Sequence, residues 1–573
     1  MTTDIENLSA YAASAVEQPK NSRESVIKAT LVFLMSYLIL FIGMSLSPNV
    51  YDEGIILTGA MRVVAGQMPH QDFYANYGPG QFYLIAGLFK LFGQSVLVER
   101  LYDLFLRALV VALVYLIASS YCRRSIAACT AIVTVLWFFS LNEIGGSAVI
   151  PVSLLSLVAS ILVLPVFLHP ISAKRMLGVG AVAGLAGLFR YDTGLALLGV
   201  AACAVAIAIC LRMSGTLNRL KNFASTFWPC LPGFAAVTLP ALLYYLSRAP
   251  FHPFVYDIIL YPSKYYHRSR NLPFPRIDLK GLDNIAVYLP IAIVGIAMYV
   301  VVARRLQARR SGASGLQNMA AEQKWHGFLI TFGLIALVMY FKGIVRVSPV
   351  HMYLSILPSL LLIAVLYQHR RTLPRRIGIS IAVLMYLSVS AGVLSALREI
   401  RVLHKVHSSL PESIVADASR TSPEIRAIWC KDKNPLTEGI CFLPSDDRIR
   451  TIEFIESHTK PDQYLFVGLP KHDRIFANDN LIYFATQRLP ATKWSHLDPN
   501  LQNTYDIQTQ MVNEFERNVP PYIVLDSEFK SMNEPNDSSR SSGVTLLDDY
   551  IHSKYQHVES FGDFSIWQRI HTP

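Results

Sequence analysis

The sequence predicts an α-helical polytopic membrane protein with a C-terminal α/β domain outside the cytoplasm, and three observations predict it. Of 573 residues, 52% are hydrophobic and 16% charged, too apolar a balance for a water-soluble chain of this length. The apolar residues come in blocks of roughly the 20 residues that a helix needs to cross a bilayer, and these blocks fill the first two thirds of the chain. From about residue 445 the pattern changes to the strands and amphipathic helices of a soluble fold.

The first 25 residues are polar and unpatterned and read as a disordered cytoplasmic tail. About eleven spans follow within 26–397, at 26–46, 96–120, 125–141, 147–168, 175–190, 193–212, 223–246, 284–303, 326–342, 351–368 and 376–397. The first ends Met44-Ser45-Leu46-Ser47-Pro48, without a small-residue cleavage pattern, so it reads as a retained helix rather than a removed signal peptide. The fifth, 175–190, is short and Gly-rich.

Basic residues set the orientation, because Lys and Arg near helix ends stay on the cytoplasmic side. Arg123/Arg124, Lys174/Arg175, Arg212/Arg219/Lys221, Arg304/Arg305/Arg309/Arg310 and Arg370/Arg371/Arg375/Arg376 fall in every second loop, which puts the amino terminus inside. With eleven spans, the first outer loop (47–95) and the tail from Arg398 onward lie on the far face of the cell (inner) membrane. One outer loop, 247–283, breaks the rule with Arg248, Lys264, Arg268, Arg270, Arg276 and Lys280, and an anionic ligand is the obvious reason for it. Most of the formal +11 charge is accounted for by topology, and no nucleic-acid-binding module is visible.

Beyond the spans, 398–444 reads as a polar linker and 445–573 as the soluble domain. Asp446 or Asp447 caps a helix through His458, 463–468 and 521–526 read as buried strands, 504–518 and 544–556 have helical spacing, and Val558 to Ile570 reads as a hairpin turning at Gly562-Asp563. Cys122, Cys129, Cys203, Cys210 and Cys230 fall in or beside spans and read as packing residues. Cys430 and Cys441 lie in the outer tail, where an oxidising compartment lets them close a short disulfide loop.

The candidate chemical groups gather on one side of the membrane. Asp52 and Glu53 stand just past the first span, where a carboxylate at the edge of a low-dielectric region can take a proton from a hydroxyl or hold a divalent ion; the competing reading is that they cap the helix that follows. Asp72 lies in the same loop, ahead of the turn Asn76-Tyr77-Gly78-Pro79-Gly80. Inside the second span, Asp103 and Arg107 are spaced to pair, and Arg100, nearer the outer end, is the better ligand candidate. Arg190 and Asp192 fall at an outer helix junction, as do Lys342, Arg346 and His351, and Lys264, Arg268 and Arg270 add cations with neighbouring aromatic faces. Carboxylates from one loop and cations from several others suit a transfer in which a hydroxyl is deprotonated while a phosphate leaves. A divalent metal remains a candidate cofactor, with Glu53 beside His70 or His351 the only ligands in view.

Asp52-Glu53-Gly54, Gly66-Gln-Met-Pro-His-Gln-Asp72-Phe, Tyr77-Gly-Pro-Gly80, Phe92-Gly93 and Arg100 together resemble the first outer loop of the GT-C superfamily of glycosyltransferases. Within it the pattern is most similar to glycosyltransferase family 39 and its bacterial relatives, which include protein O-mannosyltransferases and lipid A aminoarabinose transferases. Arg190-Tyr-Asp192 and Arg346-x-Ser348-x-x-His351 are weaker echoes, and Ser348 stands where many relatives have Asp.

The resemblance implies a polyprenyl-phosphate sugar as donor, a lipid, glycan or protein acceptor, and work on the extracytoplasmic face. It implies Asp52 as general base, with Glu53 orienting it or binding metal. Inverting transfer then follows, the cations Arg100, Arg190, Lys264, Arg268, Arg270, Arg346 and His351 being the candidates to hold the donor phosphate. The alternatives are a transporter or flippase for lipid-linked glycans, which calls for charges at mid-membrane and broken helices, and a non-catalytic scaffold, which leaves the acidic and basic loops without a purpose.

Overall fold

The computed structural model describes residues 22–45, 47–139, 145–212, 215–277, 284–311, 316–348, 351–409 and 445–570. A helix stands at each position where the sequence predicts a span. In chain order they are α1 (Ser22–Ile42), the loop helices α2 (Asp52–Val64) and α3 (Pro79–Phe92), then α4 (Val96–Ser119), α5 (Arg124–Phe139), α6 (Val149–Val163), α7 (Ala173–Phe189), α8 (Tyr191–Arg212), α9 (Thr216–Phe227), α10 (Cys230–Leu246), α11 (Ile285–Ser311), α12 (Leu316–Gly343), α13 (Tyr353–Gln368) and α14 (Arg375–Ser409). Among the described residues, eight helical stretches are long and apolar enough to cross a bilayer, and α5 and α13 are shorter apolar helices. The chain is a multi-pass membrane protein.

Two helices that are apolar all round find opposite places. α13 is buried at every position from Tyr353 to Leu366 and forms the centre of the bundle, packed by α4, α5, α6, α11, α12 and α14. α1 is apolar beyond Lys28, yet only 11% of its most apolar window is buried, so the rest of that stretch faces the hydrocarbon. The Gly-rich composition of α7 has a packing reason: a Cβ on Gly180 would sit 1.9 Å from the Cys230 carbonyl oxygen, and one on Gly233 of α10 would sit 2.1 Å from that of Leu177. In a membrane, where lipid tails are as apolar as Leu, such close backbone contact is a main source of helix association. Between α10 and α11, residues 251–270 stay helical but pass through two π-helical stretches, Tyr256–Leu260 and Pro262–Tyr266.

The basic loops gather at one end of the bundle, where Arg123 N–H donates to Gln368 and Arg304 to Thr372. The loops carrying Asp52, Arg190, Arg270 and Arg346 converge at the other end. The linker begins later than the sequence suggests, because α14 continues past 397 to Ser409. Cys430 and Cys441, with their expected disulfide, lie outside the described residues.

The C-terminal domain contains α15 (Asp446–His458), β1 (Leu465–Gly468), α16 (Leu481–Thr486), α17 (Tyr505–Asn518), β2 (Tyr522–Asp526), α18 (Leu546–Lys554), β3 (Tyr555–Phe561) and β4 (Phe564–Arg569). The sheet order is β1-β2-β4-β3, with β1 parallel to β2 and the other two pairings antiparallel. β1 and β2 are buried at every position and read as unbroken apolar runs, whereas the β3–β4 hairpin turns at Gly562-Asp563, the expected place. This domain seats itself on α2. Thr58 donates to the Asn480 carbonyl at 2.8 Å, Asn480 N–H to Val50 at 3.0 Å, and Arg62 reaches the Thr492 carbonyl and the Ser495 hydroxyl.

Candidate active site

The Asp-Glu-Gly motif opens α2, and each of its residues meets a different neighbour. Successive helical residues are turned by about 100° from one another, so adjacent side chains cannot share an environment. Gly54 faces the C-terminal domain so closely that a Cβ would lie 2.8 Å from the Leu481 nitrogen. Glu53 turns into the bundle and is fully buried. Arg100 donates to it twice, from Nε at 2.6 Å and from Nη2 at 2.7 Å, and the Asn49 N–H donates to it at 2.8 Å. Glu99 stands 3.9 Å from the same guanidinium.

Asp52 turns the third way, into a cavity of about 550 Å3 whose wall also includes Tyr77, Arg190, Lys342, Arg346 and His351. Its backbone N–H is capped by Asn49 at 2.7 Å, but among the described residues its carboxylate has no hydrogen-bond or ion-pair partner. Burial pushes that carboxyl above the usual carboxylate range, against the opposing pull of Arg270 and Arg346.

The polar groups across the cavity are each held by a neighbouring side chain. Arg190 bonds to Asp192 through Nε at 3.3 Å and Nη2 at 3.2 Å and lies over the Tyr77 ring, while Lys342 Nζ is 3.7 Å from Asp192. His351 Nδ1 is 2.7 Å from the Ser348 hydroxyl. Arg346 is gripped in a fork by Glu534 of the C-terminal domain, at 2.5 and 2.8 Å. Within the second span Arg107 pairs with Asp103 at 2.6 Å as the spacing predicts, and also lines the cavity.

The C-terminal domain braces this end of the bundle with a buried polar knot. Arg270 donates to Asp498 at 2.6 Å and to the Tyr51 hydroxyl at 3.0 Å, His496 Nε2 is 3.0 Å from the same hydroxyl, and Tyr74 donates to Asp498 at 3.2 Å. Tyr261 and Ser269 reach Pro499 and Asn500. Burial alone would raise Asp498, but His496 and Arg270 outweigh it and hold the carboxyl below its usual range.

Of the residues singled out in the sequence, Asp52, Arg190, Arg346 and His351 share the cavity wall. Others do not. Glu53 and Arg100 pair with each other inside the bundle and do not line the cavity. Asp72 lines a different hollow and is occupied in accepting the Met68 N–H at 2.7 Å. Lys264 and Arg268 point outward and are exposed, and Arg270 is engaged with Asp498 and Tyr51. Among the described residues no group of three or more His, Cys, Asp or Glu side chains could hold a metal ion, so the residues present do not fit the divalent-metal expectation.

The groups missed by the sequence reading are Asp498, His496 and Glu534, which reach this end of the bundle from a domain more than four hundred residues further along. The only local signal for them was polar residues flanking buried strands.

No family model matches the sequence, and no curated protein matches it. The structure is nevertheless similar to that of ArnT from Cupriavidus metallidurans in the apo state, with a TM-score of 0.53 and 13% identity over 95% of this chain and 98% of that one. It is also similar to ArnT from the same organism bound to undecaprenyl phosphate, with a TM-score of 0.50 and 14% identity over 96% of this chain and 99% of that one. At such identities the likeness speaks to the fold, and the fold is GT-C.

Proposed function

We propose that this chain is a membrane glycosyltransferase that moves a sugar from a polyprenyl-phosphate donor to an acceptor hydroxyl, with inversion, on the extracytoplasmic face. The observation that carries the reading is the unpartnered Asp52 carboxylate sharing one cavity with Arg190, Lys342, Arg346 and His351. A cavity of about 550 Å3 falls within the range that holds a small ligand and leaves room for a sugar. The undecaprenyl phosphate bound by ArnT in one of the similar structures supports a lipid-phosphate leaving group. The alternation of basic loops supports the sidedness.

The reaction balances with these groups. Asp52 takes the acceptor proton as the acceptor oxygen bonds to the anomeric carbon. The bond from that carbon to the phosphate oxygen breaks with its electron pair leaving on the oxygen, and the positive charge that builds on the sugar in between is oxocarbenium-like. Arg190, Lys342 and Arg346 are then placed to stabilise the departing phosphate by charge, while His351, kept neutral by burial and the neighbouring cations, can offer it only a hydrogen bond. Raised above the ordinary Asp value by burial, Asp52 is a stronger base than a solvated Asp.

A flippase calls for charges at mid-membrane, whereas the charged groups lining this cavity cluster at the end braced by the C-terminal domain. The test is transfer by membranes carrying Asp52→Asn, supplied with polyprenyl-phosphate sugars. Abolished transfer with retained donor binding supports the base; unchanged transfer removes Asp52 from that role.

A further inference from the structure

We propose that a second hollow at the same end of the protein is a binding site for an anionic phospholipid of the surrounding leaflet, its phosphate held between Lys90 and Arg248. The hollow, about 530 Å3, lies between the loop 66–72, α3 and the end of α10, and it shares no lining residue with the Asp52 cavity. Met68 of its lining packs with Tyr245, Ala249 and Phe254, and the neighbouring His70 is held by Asp257 at 3.1 Å and by Tyr191, a residue of the Asp52 cavity, at 3.1 Å. This site therefore stands apart from the proposed transfer reaction and does not depend on it.

Charge is the first argument. Lys90 and Arg248 are exposed on the hollow's rim, and among the described residues neither has a carboxylate within ion-pair distance; Arg248 instead lies 4.5 Å over the Tyr244 ring. The one acid in the wall, Asp72, leaves a net single positive charge, the complement of one phosphodiester. Arg248 is also among the cations that the orientation rule would not place on this side, and a fixed anion supplies the reason.

Surroundings are the second argument. Tyr83 and Tyr244 meet edge to face at 6.4 Å beside the hollow, the arrangement of an interfacial aromatic pair. On the same two helices α3 exposes Leu84 and Leu91, and α10 exposes Leu239 and Leu243. Two apolar faces, one on each side of the hollow, suit a lipid with two acyl chains better than a single polyprenyl chain. Gly87 lines the hollow between them, and a Cβ there would meet nothing within 4 Å, so the space above the helix is open.

The experiment is native mass spectrometry of the full chain after detergent delipidation, titrated with phosphatidylglycerol, phosphatidylcholine or undecaprenyl phosphate. The parent is expected to retain phosphatidylglycerol in preference to the other two. Lys90→Ala with Arg248→Ala should weaken that binding about tenfold or more, from the loss of two surface cations. Gly87→Trp, which fills open space and replaces a helical glycine, should abolish it with the melting temperature preserved. Undiminished phosphatidylglycerol binding in both variants overturns the site. Phosphatidylcholine bound as tightly as phosphatidylglycerol overturns the charge argument, and undecaprenyl phosphate preferred with the same sensitivity overturns the assignment of the occupant.

Discussion

Two adjacent carboxylates, alike in sequence, are expected to fail in opposite ways when neutralised. Asp52→Asn removes a charge that burial disfavours and that has no partner among the described residues, so the fold should stay within about 1 kcal/mol of the parent. Activity should fall by about 10²- to 10⁴-fold, the usual worth of a general base, or about 3–5 kcal/mol of barrier at about 1.4 kcal/mol per decade. Glu53→Gln removes a charge from a fully buried carboxylate that receives two donors from Arg100 at 2.6 and 2.7 Å. Breaking such a pair costs about 3–5 kcal/mol; with Glu99 still 3.9 Å from the guanidinium to take up part of the charge, about 2–4 kcal/mol is expected. Thermal unfolding in detergent and sugar transfer in proteoliposomes read the two quantities separately. If Glu53→Gln melts with the parent, or if Asp52→Asn loses stability while keeping transfer, the division of labour argued from the geometry is wrong.

Lowering pH should extinguish transfer as Asp52 gains a proton, at a midpoint above the ordinary Asp value of 3.8, because burial raises its folded value. Asp498 is shifted the other way, so its contribution to domain docking is complete above its unfolded value and is lost only as pH falls through the lower folded one. A pH–rate profile beside a pH–melting profile should therefore show activity failing first, and coincident curves would count against this. Gly54→Ala places a Cβ 2.8 Å from the Leu481 nitrogen and should destabilise the docked domain by about 1–3 kcal/mol, read by calorimetry; an unchanged melt would mean the contact yields freely. Glu534→Gln loosens the fork on Arg346 and should tighten undecaprenyl-phosphate binding several-fold by titration, whereas equal affinity would place the phosphate elsewhere.

Much of the architecture is legible in the chain because the bilayer imposes it. Backbone groups in hydrocarbon must bond within their own segment, so apolar blocks become helices wherever they occur, and helices stand at each of the eleven predicted positions. The same parity argument brings Asp52, Arg190, Arg346 and His351 to one end, since alternate loops return to the same face. The buried strands 465–468 and 522–526 and the turn at Gly562-Asp563 were equally readable, from apolar runs and turn chemistry.

The direction of each side chain was not legible. Sequence by itself determined that two carboxylates and a set of cations meet at one end of a helical bundle. Tertiary structure alone decided that Asp52 faces the cavity while Glu53, one residue and about 100° further round α2, is neutralised by Arg100. It also decided that Arg270 and Arg346 answer to Asp498 and Glu534, acids 228 and 188 residues away in a domain whose docking no local pattern encodes. Periodicity fixes which face a residue occupies on its own helix; what packs against that face depends on contacts distant in the chain, and those set the charge that each group feels.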